Sequence, residues 1–197
     1  RPGHEAQALA RLKEKQVPFE LVTPNAVRLP NGFPVDDIAA VDREIVVQDL
    51  SSQRTGDLLI QVRDRLPAPA KTWDCCAGAG GKSILAYDLL SPLDITVTDI
   101  RKNSLARLAE RFARAGIKKP RAFAMDLSGP AGDGLPSNKG AVLSTQSPDG
   151  LDARARSTRN TVLPLEPASF DLVIVDAPCT GSGTWSRIPE RLSFFTR

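Results

Sequence analysis

The sequence predicts a doubly wound α/β fold preceded by a small α+β segment, and three observations carry that expectation. From Lys71 onward, short apolar runs alternate with amphipathic stretches, the rhythm of strands and helices taking turns along the chain. The run "FDLVIVD" at 170–176 is apolar almost throughout, as a parallel strand covered on both faces should be. Three of the four strand candidates end in an aspartate (Asp99, Asp126 and Asp176), and a glycine-rich turn follows Asp74 at the first. Ligands of doubly wound sheets bind outside the carboxyl ends of the strands, so one turn and several carboxylates are gathered along one edge.

Taken in order, residues 4–16 are expected to form a short helix, with Ala8, Leu9 and Leu12 as its apolar stripe. "FELVTPNAVRL" at 19–29 reads as two short strands around the Thr23-Pro24-Asn25 turn. "REIVVQDLSSQRTGDLLIQV" at 43–62 reads as a strand through Val47 and then a helix capped by Asp49, Ser51 or Ser52. "KTWDCC" is the first strand of the main sheet, and Gly80 to Leu90 is its helix. "LDITVTD" is the second strand. Leu105, Leu108, Ala109 and Phe112 then recur at i, i+3, i+4 and i+7, with Gly116 where a C-terminal cap belongs. "PRAFAMD" is the third strand and "FDLVIVD" the fourth. The division expected is 1–45 for the leading segment and 46–197 for the α/β core. The Gly-, Ser- and Pro-rich stretch at about 128–168 reads as an insertion, too long for an ordinary connection. Arg154, Arg156 and Arg159 within it read as solvated loop arginines, or else as contacts for a nucleic acid.

Composition narrows the function. The chain has 197 residues, 41% of them apolar, which suffices for a core. No apolar run approaches bilayer length, so no membrane is expected. The chain opens at Arg1 without methionine and stops at Arg197, so it reads as a fragment or trimmed piece. Three cysteines, two of them adjacent, argue against a disulfide framework and suit the reducing cytoplasm. With one histidine and no C-x-x-C pair, no metal site is expected. Net charge is +3, but from Arg101 to Arg121 eight basic residues face only Glu110. That run is either a solvated helix face or a surface that meets a polyanion.

The stretch "WDCCAGAGGKS" at 73–83 is one residue from the phosphate-binding pattern G-x-x-x-x-G-K-[ST], with Cys76 in place of the first glycine. In favour of an NTPase, Lys82 and Ser83 are the residue types that meet phosphate and magnesium, and "LVIVD" ends in an acid. Against it, Cys76 stands where the chain must turn tightly, and four small residues, Ala77 to Gly80, make a loop that lets backbone approach a ligand without phosphates. Asp99, about 20 residues after the turn, is placed to accept hydrogen bonds from ribose hydroxyls. That suits NAD and S-adenosylmethionine alike, although the dinucleotide G-x-G-x-x-G spacing is absent. Cys179, beside Pro178 at the exit of the fourth strand, is a candidate for thiolate chemistry.

Together these motifs resemble the RNA cytosine-C5 methyltransferases of the Sun/Nop2 type. The resemblance covers most of the chain: "PNAVRL" and "VVQDLSSQ", "DCCAGAGGKS", "VTDIRKNSLARLAERFARAGI", Asp126, and "FDLVIVDAPCTGSGTWSRIPE". It implies a Rossmann-like S-adenosylmethionine-dependent fold acting on ribosomal or transfer RNA. It assigns Cys76, Ala77, Gly78, Ala79, Gly80, Gly81 and Lys82 to wrapping the cofactor, Asp99 to its ribose and Asp126 to its adenine. It places Asp176 at the cofactor's amino-acid end and the incoming base. It gives Cys179 release of the methylated product, the attacking thiolate being a second cysteine in a downstream T-C motif that these 197 residues do not contain. The chain departs from the family at Ala79, where proline is common. The chemistry implied is thiolate addition at cytosine C6, methyl transfer to C5, loss of the C5 proton and elimination, on an unpaired or flipped base. The basic stretches Arg101 to Arg114 and Arg187 to Arg197 are then candidates for contacting the RNA backbone. The alternatives are a P-loop-like NTPase and a non-catalytic RNA-binding fragment that keeps the cofactor fold.

Overall fold

The structure, a computed structural model, describes residues 1–127 and 169–177. Residues 128–168 and 178–197, with Arg154, Arg156, Arg159, Cys179 and the basic stretch from Arg187, lie outside the described residues.

The leading segment begins with helix α1 (Glu5–Glu14), followed by an antiparallel hairpin of β1 (Glu20–Thr23) and β2 (Ala26–Arg28). Leu12, Ile38 and Ala39 are buried here, with Leu9, Phe19, Leu29, Phe33 and Ile45 packed against them. The strand expected through Val47 does not form. The backbone there makes one isolated bridge, Val41 to Ile45, and Val47 is 63% exposed, because no described strand lies alongside to pair with it. Helix α2 (Leu50–Val62) follows, with Asp49 at its N-cap position. Gly56 lets α2 lie against the next helix, since a Cβ there would sit 2.9 Å from Leu89 Cδ1.

The main sheet contains β3 (Ala70–Asp74), β4 (Leu93–Asp99), β5 (Arg121–Ala124) and β6 (Leu172–Ile174). All pairings are parallel and the order is β5-β4-β3-β6, so sequential strands step outward from β3 and then cross back to its other side. Helix α3 (Gly81–Leu90) connects β3 to β4, and α4 (Lys102–Arg114) connects β4 to β5. This is the doubly wound Rossmann-like α/β fold that the alternating pattern predicts. From Ile95 to Asp99, β4 is buried at every residue, as an inner parallel strand must be. By contrast β6 has only β3 as a described partner, and Val173 is 47% exposed.

The core forms where α4 lays its apolar stripe on the sheet. Leu105, Leu108 and Phe112 pack with Ile84, Ile95, Val97 and Ile117, and Val46 joins them from the approach to α2. Gly116, at φ 69°, ends α4: its N–H donates to Ala113 O and that of Ile117 to Phe112 O, so a left-handed residue satisfies the last carbonyls. Phe112 is fully buried at the centre of this cluster. Phe112→Ala is expected to lower unfolding free energy by about 3–5 kcal/mol, read as a shifted denaturation midpoint with little change in slope.

Candidate functional site

Strand order reverses at β3, which has β4 on one side and β6 on the other. A crevice at the carboxyl ends of two such strands is where this architecture binds ligands. A cavity of about 1120 Å³ opens there. It is lined by Cys76, Ala77, Gly78, Ala79, Gly81, Lys82, Asp99, Asp126 and Asp176, so nearly every residue singled out for a cofactor meets at one place. Gly80 stands behind the lining. It has φ 81°, and a Cβ on it would lie 2.7 Å from Leu108 Cγ, so only glycine lets the turn sit down on α4.

The turn between β3 and α3 is held on several sides. Ala77 N–H donates to Thr98 O of β4, and Gly80 N–H closes a tight turn onto Ala77 O. Gly78, at φ 54°, donates its N–H to Asp99 Oδ2 at 2.8 Å. From α4, Arg111 Nη1 donates to Ala79 O at 3.0 Å. The helix that starts at Gly81 aims its first N–H groups and the positive end of its dipole at this edge.

Charge in the cavity is mostly acidic and mostly paired. Asp99 is 5% exposed and accepts from Gly78 N–H, Arg101 N–H and the Arg101 guanidinium. Burial pushes its carboxyl up, but the hydrogen bonds from Arg101 and Gly78 outweigh burial and hold it below the usual range. Lys82 Nζ donates to Asp176 Oδ2 at 2.6 Å, joining the turn after β3 to the exit of β6. Asp74 is 1% exposed and accepts from Ser83 Oγ at 2.6 Å, while its other oxygen, Oδ1, has no hydrogen-bond partner among the described residues. Burial pushes Asp74 up to about 6, with the Ser83 hydrogen bond pulling the other way. Burial likewise raises Cys75 to about 11 and raises Cys76, so both are protonated thiols at neutral pH. Neither is a ready nucleophile.

Ser83 bears on the NTPase alternative. Its hydroxyl is buried and committed to Asp74, so it is not free to ligate a phosphate-bound magnesium as this arrangement stands. The basic run also resolves into specific partners. Arg101 pairs with Asp99, Arg111 and Arg114 both pair with Asp42, and Arg121 pairs with Asp94. On the stretch Arg101 to Arg114 expected to face RNA, Arg111 is largely buried, while Lys102, Arg107 and, despite their ion pairs, Arg101 and Arg114 are exposed.

Sequence reasoning missed several lining residues: Gln48 just before α2 and Ser52 in its first turn, Arg101 at the N-cap of α4 and Arg111 within it. "VVQDLSSQ" was a signal for the first pair. For Arg111 no local signal exists, because its role depends on a carbonyl 32 residues away. Among the described residues no group of three or more His, Cys, Asp or Glu side chains is placed to hold a metal ion, and no helix is long and apolar enough to cross a membrane.

No protein-family model matches the chain. It is 29% identical over 178 residues to the ribosomal RNA small subunit methyltransferase B of Xylella fastidiosa, covering 89% of this chain and 33% of that protein. To the protein of the same name from Xanthomonas campestris pv. campestris it is 26% identical over 190 residues, covering 95% of this chain and 36% of that one. The chain thus spans about a third of the length of the curated relatives it matches. The solved structure of PH0851 superposes with a TM-score of 0.67 at 21% identity, over 98% of this chain and 36% of that one, and so shares the fold. The family resemblance read from the motifs agrees with the names of these relatives.

The raised carboxyl of Asp74 makes stability depend on pH. The fold favours the protonated form, so that contribution is complete below about 3.8 and is lost as pH rises to about 6. Asp74→Asn removes this loss. The stability of the variant minus that of the wild type is expected to rise by up to about 3 kcal/mol between those two pH values, measured by urea unfolding across the interval.

Proposed function

We propose that this chain is the cofactor-binding core of an RNA cytosine-C5 methyltransferase, that its cavity takes S-adenosylmethionine, and that it works in the cytoplasm. The observation that carries the reading is the convergence of the Cys76–Lys82 turn, Asp99, Asp126 and Asp176 on one cavity at the switch point of the sheet. Similarity to ribosomal RNA methyltransferases over nine-tenths of the chain points the same way.

The residues present fit that cofactor. Asp49, Asp74, Asp99, Asp126 and Asp176 line the cavity against Lys82, Arg101 and Arg111, each of which already has a carboxylate partner. Such a lining favours a ligand with net positive charge over a triphosphate. S-adenosylmethionine carries a sulfonium and an ammonium against one carboxylate, and when bound supplies an electrophilic methyl group. Asp99 would hold the ribose hydroxyls and Asp126 the adenine. Lys82 holds Asp176 at the cavity lining through their hydrogen bond, where it would meet the amino-acid end and the incoming base. The turn, with Gly78 and Gly80 both left-handed, brings backbone close to the ligand without side chains in the way. A cytosine reaching this edge must be unstacked, so the proposed substrate is unpaired or flipped RNA, ribosomal or transfer. The attacking thiolate would come from elsewhere than Cys75 and Cys76, whose protons are held tightly. Cys179 would assist product release.

Calorimetry tests the cofactor. S-adenosylmethionine and its homocysteine product are expected to bind, ATP with magnesium to give no heat, and Asp99→Ala to weaken binding about tenfold or more. Heat from ATP alone would refute the reading. A second test addresses Cys179 in the full-length protein, using RNA with 5-azacytidine at the target position. Cys179→Ser is expected to accumulate the covalent RNA adduct; loss of the adduct would instead make Cys179 the nucleophile. With ordinary RNA, cofactor binding without methyl transfer would favour a non-catalytic RNA-binding role.

A further inference from the structure

The geometry points to Arg111 as a positioning residue that sets the cofactor turn, with Asp42 of the leading segment as its anchor. This inference rests on the reading of the cavity as an S-adenosylmethionine site. Arg111 is largely buried and bridges two parts of the chain far apart in sequence: its Nε donates to Asp42 Oδ1 at 2.8 Å and its Nη1 to Ala79 O at 3.0 Å. Ala79 lies at the tip of the turn, between the two left-handed glycines. Fixing the carbonyl of residue 79 fixes the plane of the peptide it shares with Gly80, whose N–H closes the turn onto Ala77 O. The orientation of the surface that a ligand would touch is thereby tied to a guanidinium on α4.

Asp42 is built to hold that guanidinium still. It is 1% exposed and has φ 67°, a conformation uncommon for a residue with a side chain, and its own N–H donates to Ile45 O at 2.7 Å. Its two oxygens are divided between Arg111 and Arg114. A buried carboxylate with two cationic partners fixes the aim of both, and a planar guanidinium serves Asp42 and the Ala79 carbonyl at once in a fixed fork that the rotatable donors of an ammonium do not impose.

Arg114 supplies the internal control. It shares the anchor, sits one turn further along α4, and among the described residues its hydrogen bonds go to Asp42 rather than to the cofactor turn. If these arginines merely fasten α4 to the leading segment, removing either should have the same consequences. If Arg111 positions the turn, the two should differ in cofactor affinity after stability is accounted for.

The experiment compares wild type, Arg111→Met, Arg111→Lys and Arg114→Met by calorimetry with S-adenosylmethionine, at a temperature where thermal unfolding shows every variant folded. Arg111→Met is expected to bind about tenfold or more weakly, Arg111→Lys to fall between it and wild type, and Arg114→Met to bind as wild type does despite its own loss of stability. Should Arg111→Met fail to fold, Arg111→Lys against Arg114→Met decides alone. Wild-type binding together with unchanged affinity in the Arg111 variants, or an equal loss in Arg114→Met, overturns the inference. No binding by wild type overturns the functional reading, and this inference with it.

Discussion

One buried carboxylate, Asp99, ties the turn after β3 to the end of β4, and the shape of the cavity follows from that tie. It takes the Gly78 N–H on one oxygen and the Arg101 N–H on the other, so the glycine turn and the start of α4 are referred to the same two atoms. Gly80 can then sit within van der Waals reach of Leu108 and Phe112, and α4 closes the back of the cavity. A ribose bonding to Asp99 must share it with these donors. A carboxylate offers about four acceptor positions, and the guanidinium of Arg101, two-thirds exposed, is the partner most easily moved aside. The same atoms that build the turn are thus the ones proposed to read the ligand.

Much of this was legible in the sequence, for physical reasons. Strands that run between turn residues and end in an acid cannot easily be anything else, and "LDITVTD" is such a case, matching β4 from end to end. The helix over 102–114 announces itself by Leu105, Leu108 and Phe112 and by the glycine beyond it, because burial and capping are local demands. The alternation of elements fixes a parallel sheet, and the acids at strand ends then share one edge whatever the packing details.

Contacts between distant segments could not be read. The approach to α2 has the composition of a strand at "REIVV", yet no neighbour is present to pair with it among the described residues, and pairing makes a strand. The basic run looked like a surface for a polyanion, but charge along a helix says nothing about what lies opposite. Here Asp42, Asp94 and Asp99 lie opposite and pair with four of the arginines, of which only Arg111 is largely buried. A leading segment that looked peripheral in sequence consequently bears on the cavity through Asp42, which holds Arg111, and the chain just after it lines the cavity through Gln48 and Ser52.

The central claim is that the small-residue turn between β3 and α3 cradles an adenosyl sulfonium rather than a nucleoside triphosphate. A crystal structure of the protein grown with S-adenosylhomocysteine, the thioether left once the sulfonium has given up its methyl group, tests it most directly. The account predicts density for the nucleoside along Gly78 to Gly81, with ribose oxygens within hydrogen-bonding distance of Asp99. A crystal grown with both ligands in which that turn instead holds triphosphate and magnesium, with Ser83 turned away from Asp74 toward the metal, would contradict it.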